Sequence, residues 1–250
     1  MSTTTAATVA ADEVALSRAI LYRLLSLACD YPTPDTCNSL RGVCEAATEA
    51  AGVIDAAVTN DMQRLRTALD ARDDEVLERV YTTVFTMTTS TICPAYETAY
   101  TAKHLFQASE QMADVAGFYR AFGVEAHGER PDELAMELEF AYLLALKEAY
   151  ALEHHGRAQV AICRRAERAF FRDHLGRWGY AIGDRMMVAD PEGVIGAAGA
   201  LLKAFLAWDR RHLRAGVLAV LPDQPYRPEE PGEDPPCMAG ELAGGEHDEP

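Results

Sequence analysis

Apolar residues recur at helical spacing through residues 16–213, and no long segment alternates with a period of two. That pattern restricts the chain to packed helices. Leu16, Ile20, Leu24 and Leu27 mark a first helix, stopped at the Asp30-Tyr31-Pro32-Thr33-Pro34 turn, where proline cannot continue it. Further helices are predicted over 35–50, 55–71, from 73, and over 107–122, 131–155, 157–172, 174–187 and 191–213. The acids Asp73, Asp74 and Glu75 suit the positive end of a helix dipole. Gly123 suits the left-handed residue that closes a helix. Residues 86–94 read as a loop. The expectation is one all-α domain over 12–221, with nine or ten helices and a hinge near 123–131 between its halves. Residues 1–11 are expected to be a flexible N-terminus.

The net charge of −16 narrows the partners. Nucleic acids and anionic membrane surfaces reward lysine and arginine clusters, so an acidic chain is expected to bind neither. Basic or amphipathic peptides fit better. Half of that charge sits in residues 222–250, where nine acids face a single Arg227 among seven prolines. Such a segment buries too little apolar surface to offset the entropy of ordering, and a disordered acidic tail is expected. Solubility is its simplest role. The six cysteines are scattered without a CxxC pair, which reads as reduced thiols rather than a disulfide framework. No basic secretory leader is visible, and the least polar stretch, 193–208, contains Lys203. A cytoplasmic protein without membrane insertion is expected.

Catalytic constellations are missing from the pattern. No histidine has a glutamate three residues before it, as a di-iron bundle would need. The cysteine spacing does not suit zinc, and neither a phosphate-cradling glycine loop nor a Gly-x-Ser-x-Gly elbow occurs. Neither catalytic residues nor a metal or cofactor site is expected.

Acids and aromatics instead gather in three places. Glu129-Arg130-Pro131-Asp132-Glu133 precedes a long apolar run, with Pro131 placed for a first helical turn and Asp132 and Glu133 at the positive dipole end. Leu134, Leu138, Tyr142, Ala145 and Ala149 form one stripe, and Glu133, Glu137 and Glu148 the opposite face. Glu139 falls on the apolar flank, beside Leu143 and Leu146. A carboxylate there needs a partner, either an intramolecular arginine or tyrosine or a cationic peptide. Tyr96 and Tyr100 stand one turn apart around Glu97, which either seats an arginine or packs as core. In Phe170-Phe171-Arg172-Asp173-His174-Leu175-Gly176-Arg177-Trp178, Asp173 is placed to cap a helix and His174 to stack on Trp178, or His174 is simply structural.

Tyr81–Phe85, Pro94-Ala-Tyr-Glu-Thr-Ala-Tyr100, Glu129–Glu133 and Phe170–Trp178, taken in order, resemble the TorD/DmsD/NarJ family of molybdoenzyme maturation chaperones. The Pro-Ala-Tyr-Glu-Thr form looks closest to the branch serving type II dimethyl-sulfoxide-reductase-like enzymes. The resemblance implies an all-helical, non-catalytic protein that binds the apo catalytic subunit of a molybdenum oxidoreductase. It also implies binding of that subunit's twin-arginine signal peptide until bis-molybdopterin guanine dinucleotide is inserted. One departure stands out: Glu133 occupies the place where the family's Glu-x-Pro-Asp-His carries histidine. Glu129, Pro131 and Asp132 follow the motif.

A receptor for such a peptide should pair an acidic rim with an apolar groove. Glu97, Asp132 and Glu139 are the expected rim; Tyr96, Tyr100, Phe140 and Trp178 are the expected groove, with His174 beside it. The bend near 123–131 and the Tyr96 segment are expected to meet in space. An acidic helical adaptor for another protein is the alternative function, and a ligand-binding or enzymatic bundle a third.

Overall fold

The computed structural model describes residues 2–86, 93–126 and 130–222. The expected tail beyond Pro222, the centre of the 86–94 loop and Glu129 lie outside the described residues. Ten α-helices, and no strand, make up the regular structure among those residues. They are α1 (Ser2–Cys29), α2 (Pro34–Ile54), α3 (Ala56–Asp70), α4 (Asp74–Tyr81), α5 (Thr98–Thr101), α6 (Leu105–Ala121), α7 (Leu134–His154), α8 (Arg157–Asp173), α9 (Leu175–Ala189) and α10 (Val194–Leu213). A single π-helical turn, Thr82–Thr86, continues α4. Helix α1 starts within the segment expected to be flexible.

Local chemistry sets most of the helix ends. Thr33, Asp55 and Asp73 each accept a hydrogen bond from the first-turn N–H of Thr36, Ala57 and Val76, and Pro34 sits in the first turn of α2. Gly123, at φ +74°, follows the end of α6 in the left-handed region. Helix α10 opens at Val194, later than Asp190-Pro191 suggested, because the Asp190 carboxylate reaches forward to the Ile195 N–H at 3.0 Å.

The start of α7 also differs from expectation. Pro131 lies before the helix rather than in its first turn, which begins at Leu134. The backbone ahead of it is engaged elsewhere: Leu134 N–H donates to Ala95 at 2.9 Å, and Glu97 N–H donates to Asp132 at 2.9 Å. Tyr96 and Glu133 thus pair in antiparallel fashion, tying the bend to the Tyr96 segment.

Helix α1 packs along α7 and α2 and touches α10, while α10 packs on α9 and α3. Leu21, Leu24 and Leu25 of α1, Leu138 of α7 and Leu201, Phe205 and Leu206 of α10 are fully buried together. The first helix therefore bridges the 123–131 connection, and the two halves share one core.

Helix α7 is enclosed on more than one side, so Glu137 and Glu148, opposite the apolar stripe, are buried as well. Glu148 faces a buried arginine that the periodicity did not single out. Arg18, at 1% exposure, donates to Asp209 at 2.6 Å, Glu148 at 2.7 Å and Glu167 at 2.5 Å. Tyr22 donates to the other oxygen of Asp209 at 2.6 Å, and Arg164 reaches Glu148 at 2.5 Å. Two guanidinium groups meet three carboxyl groups in this node. Burial, opposed by Arg18 and reinforced by Glu148, pushes the Glu167 carboxyl up to about 8, so it keeps its proton at neutral pH.

That proton gives the fold a pH dependence of definite sign. An acid held protonated in the fold, but ordinary in the unfolded chain, stabilises fully below the unfolded value. The contribution is lost as pH climbs through the folded value of about 8. Urea unfolding is expected to show stability falling from about pH 5 to about pH 8, by at most about 1.4 kcal/mol per pH unit from this group. Glu167→Gln should flatten the slope, and an equally steep profile in that variant would assign it to other groups.

Candidate functional site

The expected site residues converge where the Tyr96 segment, the 130–133 turn, the start of α7 and the α8–α9 junction meet. Most of them face inward. Glu97, Asp132 and Trp178 are each 0% exposed, and Tyr100, Phe140 and His174 are nearly as enclosed. The open groove expected from Tyr100, Phe140 and Trp178 is therefore interior, and Glu97 and Asp132 are internal partners rather than a rim. The physical reason is that each carboxyl group found its cation or donor within the chain, which removes the penalty of burial.

Glu97 is bound from α9. His174 Nδ1 shares a hydrogen bond with its Oε2 at 2.9 Å, and Arg177 approaches its Oε1 at 3.6 Å. His174 sits at the helix junction among Phe118 and Phe170 rather than on Trp178. Asp173, expected to cap α9, ends α8 and pairs with exposed Arg172.

Trp178 donates its indole N–H to Glu137 at 3.0 Å and packs on the Tyr100 ring at 5.3 Å. Burial, with Glu97 nearby, holds Glu137 well above the usual carboxylate range. Glu97 Oε1 and Glu137 Oε1 are both buried without a hydrogen-bond partner. Sequence reading missed Glu137 because α7 periodicity placed it opposite the apolar stripe; the available signal was an indole needing an acceptor.

Asp132 forms a second node. Its Oδ2 accepts from the Thr98 N–H at 3.1 Å and the Thr98 hydroxyl at 2.7 Å. Arg130 grips both carboxylate oxygens at 2.9 Å, and its guanidinium lies 4.2 Å over the Tyr96 ring. Pro131 offers its carbonyl to the Tyr119 hydroxyl at 2.7 Å. Glu133 is partly exposed at the start of α7 and caps it with no side-chain bond; burial, with Asp30 nearby, raises its carboxyl.

Glu139 has the intramolecular arginine that was one of its two expected partners: Arg23, at 2.9 Å, with the guanidinium 5.8 Å over the Tyr142 ring. Both side chains remain part exposed, at 34% and 45%. They stand at the edge of an apolar cleft of about 400 Å³, lined by Tyr119, Val124, Met136, Phe140, Tyr142 and Leu143 with Glu125 and Glu139. Phe140, expected in a groove, supplies part of this one while packing on Tyr119 and Phe170. Among the described residues no cluster of His, Cys, Asp or Glu has the makings of a metal site, and no helix is long and apolar enough to cross a membrane.

Comparison with known proteins gives these features a family. Over 120 residues the chain is 31% identical to the chaperone protein TorD of Vibrio cholerae serotype O1, a match covering 47% of this chain and 53% of that protein. The chain thus spans about half the length of this curated relative. A solved structure from Archaeoglobus fulgidus, assigned to redox enzyme maturation, overlays at a TM-score of 0.38 and 20% identity, over 60% of this chain and 91% of that one. The family model for the nitrate reductase delta subunit matches residues 52–182, just over half of the sequence. By that match the chain belongs to the nitrate reductase delta subunit family, the NarJ/TorD group.

Proposed function

We propose that this protein is a maturation chaperone without chemistry of its own. It holds the immature catalytic subunit of a molybdenum oxidoreductase, with the subunit's twin-arginine signal peptide as the segment it grips first, until bis-molybdopterin guanine dinucleotide has entered the client. The family supports the chaperone role, and the cleft between the end of α6 and α7 is the observation that carries the peptide. Its floor is apolar, as a signal peptide's hydrophobic run requires, and its edge carries Glu125 and Glu139, as the arginines require. The Arg23–Glu139 pair at that edge is exposed enough to contribute only about 0–1 kcal/mol, so Glu139 can exchange its partner at small cost. A net charge of −16 adds long-range attraction for a cationic segment.

A labelled peptide with two adjacent arginines and an apolar run tests the reading by fluorescence anisotropy. Leu143→Glu puts a carboxylate against the apolar run and is expected to weaken binding by about tenfold or more. Its far-UV circular dichroism should stay unchanged, because Leu143 is only partly buried. Undiminished affinity in the folded variant would remove the cleft as the binding surface. Co-purification of the client subunit from the host extends the test beyond the peptide.

A further inference from the structure

Arg130 occupies a place that a partner's arginine would fit. Its guanidinium has a carboxylate in the plane of its fork, a hydroxyl at one nitrogen and an aromatic ring against its face. The bonds are 2.9 Å to each oxygen of Asp132 and 2.7 Å to Thr98 Oγ1, with the Tyr96 ring at 4.2 Å. These are the three contacts by which proteins recognise arginine in preference to lysine.

Burial divides the pair unequally. Asp132 is 0% exposed, whereas the Arg130 side chain is 39% exposed. The acceptor side is also positioned without Arg130. Thr98 supplies two hydrogen bonds to Asp132, and the backbone of residues 132–134 is clasped to residues 95–97. The half-exposed cation can therefore leave while the buried carboxylate and the ring stay in place. Tyr119, whose hydroxyl holds the Pro131 carbonyl, also lines the apolar cleft, so one residue ties the turn that carries Arg130 and Asp132 to the cleft.

We infer that Arg130 is an internal placeholder, an autoinhibitory contact that fills an arginine-binding seat made by Tyr96, Thr98 and Asp132 until a partner's arginine displaces it. The inference rests on the peptide reading above and adds to it a named seat and an internal competitor. Exchanging one guanidinium for another leaves the buried carboxylate compensated throughout, so the exchange avoids the cost of an uncovered charge. The resident arginine also sets a threshold. A weakly basic segment cannot displace it, whereas a ligand held additionally by the apolar cleft can. The Arg23–Glu139 pair over Tyr142 is a looser version of the same arrangement, bonded through one nitrogen.

Arg130→Ala removes the competitor. The twin-arginine peptide is expected to bind this variant about tenfold more tightly than wild type, the factor for a seat otherwise open about one-tenth of the time. A peptide with both arginines replaced by lysine should lose that gain, as should Arg130→Ala combined with Asp132→Asn. Arg23→Ala should change affinity by less than about threefold. A second measurement uses no peptide: millimolar methylguanidinium should raise the melting temperature of Arg130→Ala but not of the Arg130→Ala/Asp132→Asn double variant. That readout works on a destabilised variant too, since rescue is what it detects. Equal or weaker peptide binding by the folded Arg130→Ala protein would overturn the inference, as would absence of rescue. Rescue with no peptide binding to any form, wild type included, would overturn the peptide reading while supporting the seat.

Discussion

Arg18→Met is expected to lower unfolding free energy by about 3–5 kcal/mol, the cost of removing one member of a buried ionic network. Glu148, Glu167 and Asp209 are each 4% exposed or less, and Arg18 is the residue they share. Methionine fills much of the volume, so the loss is electrostatic rather than a cavity. Arg164 compensates Glu148 from the other side, but Asp209 keeps only the Tyr22 hydroxyl and the reach of more distant charge. Urea denaturation at about pH 7 checks the magnitude. The same variant carrying Glu167→Gln should lose no more than Arg18→Met alone, because Glu167 already keeps its proton at that pH. A midpoint within error of wild type would show that the node contributes nothing net to stability.

Trp178→Ala is expected to cost about 3–5 kcal/mol and roughly 10 °C in melting temperature. The side chain is fully enclosed, its ring supports Tyr100, and its N–H is a donor to Glu137. Truncation therefore opens a cavity and strips a donor from an acid already raised by burial. Trp178→Phe separates the two effects: it restores much of the ring and should recover more than half of the loss. Calorimetry on both variants decides. A small shift for Trp178→Ala would mean that the Tyr100 segment collapses into the space without strain.

The helices were legible because their signals are local. The apolar spacing, Pro34, Asp55, Asp73 and Gly123 each act within one turn, and the observed helix ends follow them closely. The site was legible only as a set of residues. Tyr96, Glu97, Asp132, His174 and Trp178 do come together, but their inward orientation depends on partners far away in sequence. His174 meets Glu97 across 77 residues and Trp178 meets Glu137 across 41, and no periodicity encodes such pairs. Arg18 shows the same limit more strongly. Nothing in the spacing of the first helix singles it out, and only the fold brings it Glu148 of α7, Glu167 of α8 and Asp209 of α10. Arg130 was not legible for a different reason: a cation inside an acidic motif is locally balanced, and only the folded turn sets its fork on Asp132.

The span of the Arg18 node governs how the protein can be made. Its arginine belongs to the first helix and its acids to α7, α8 and α10, the most distant of them 191 residues downstream. During translation that guanidinium must stay hydrated while most of the remaining chain is synthesised, and the node closes only after residue 209 has left the ribosome. The node is thus a late event in folding, and the first helix gains its buried counter-charges only when α10 arrives.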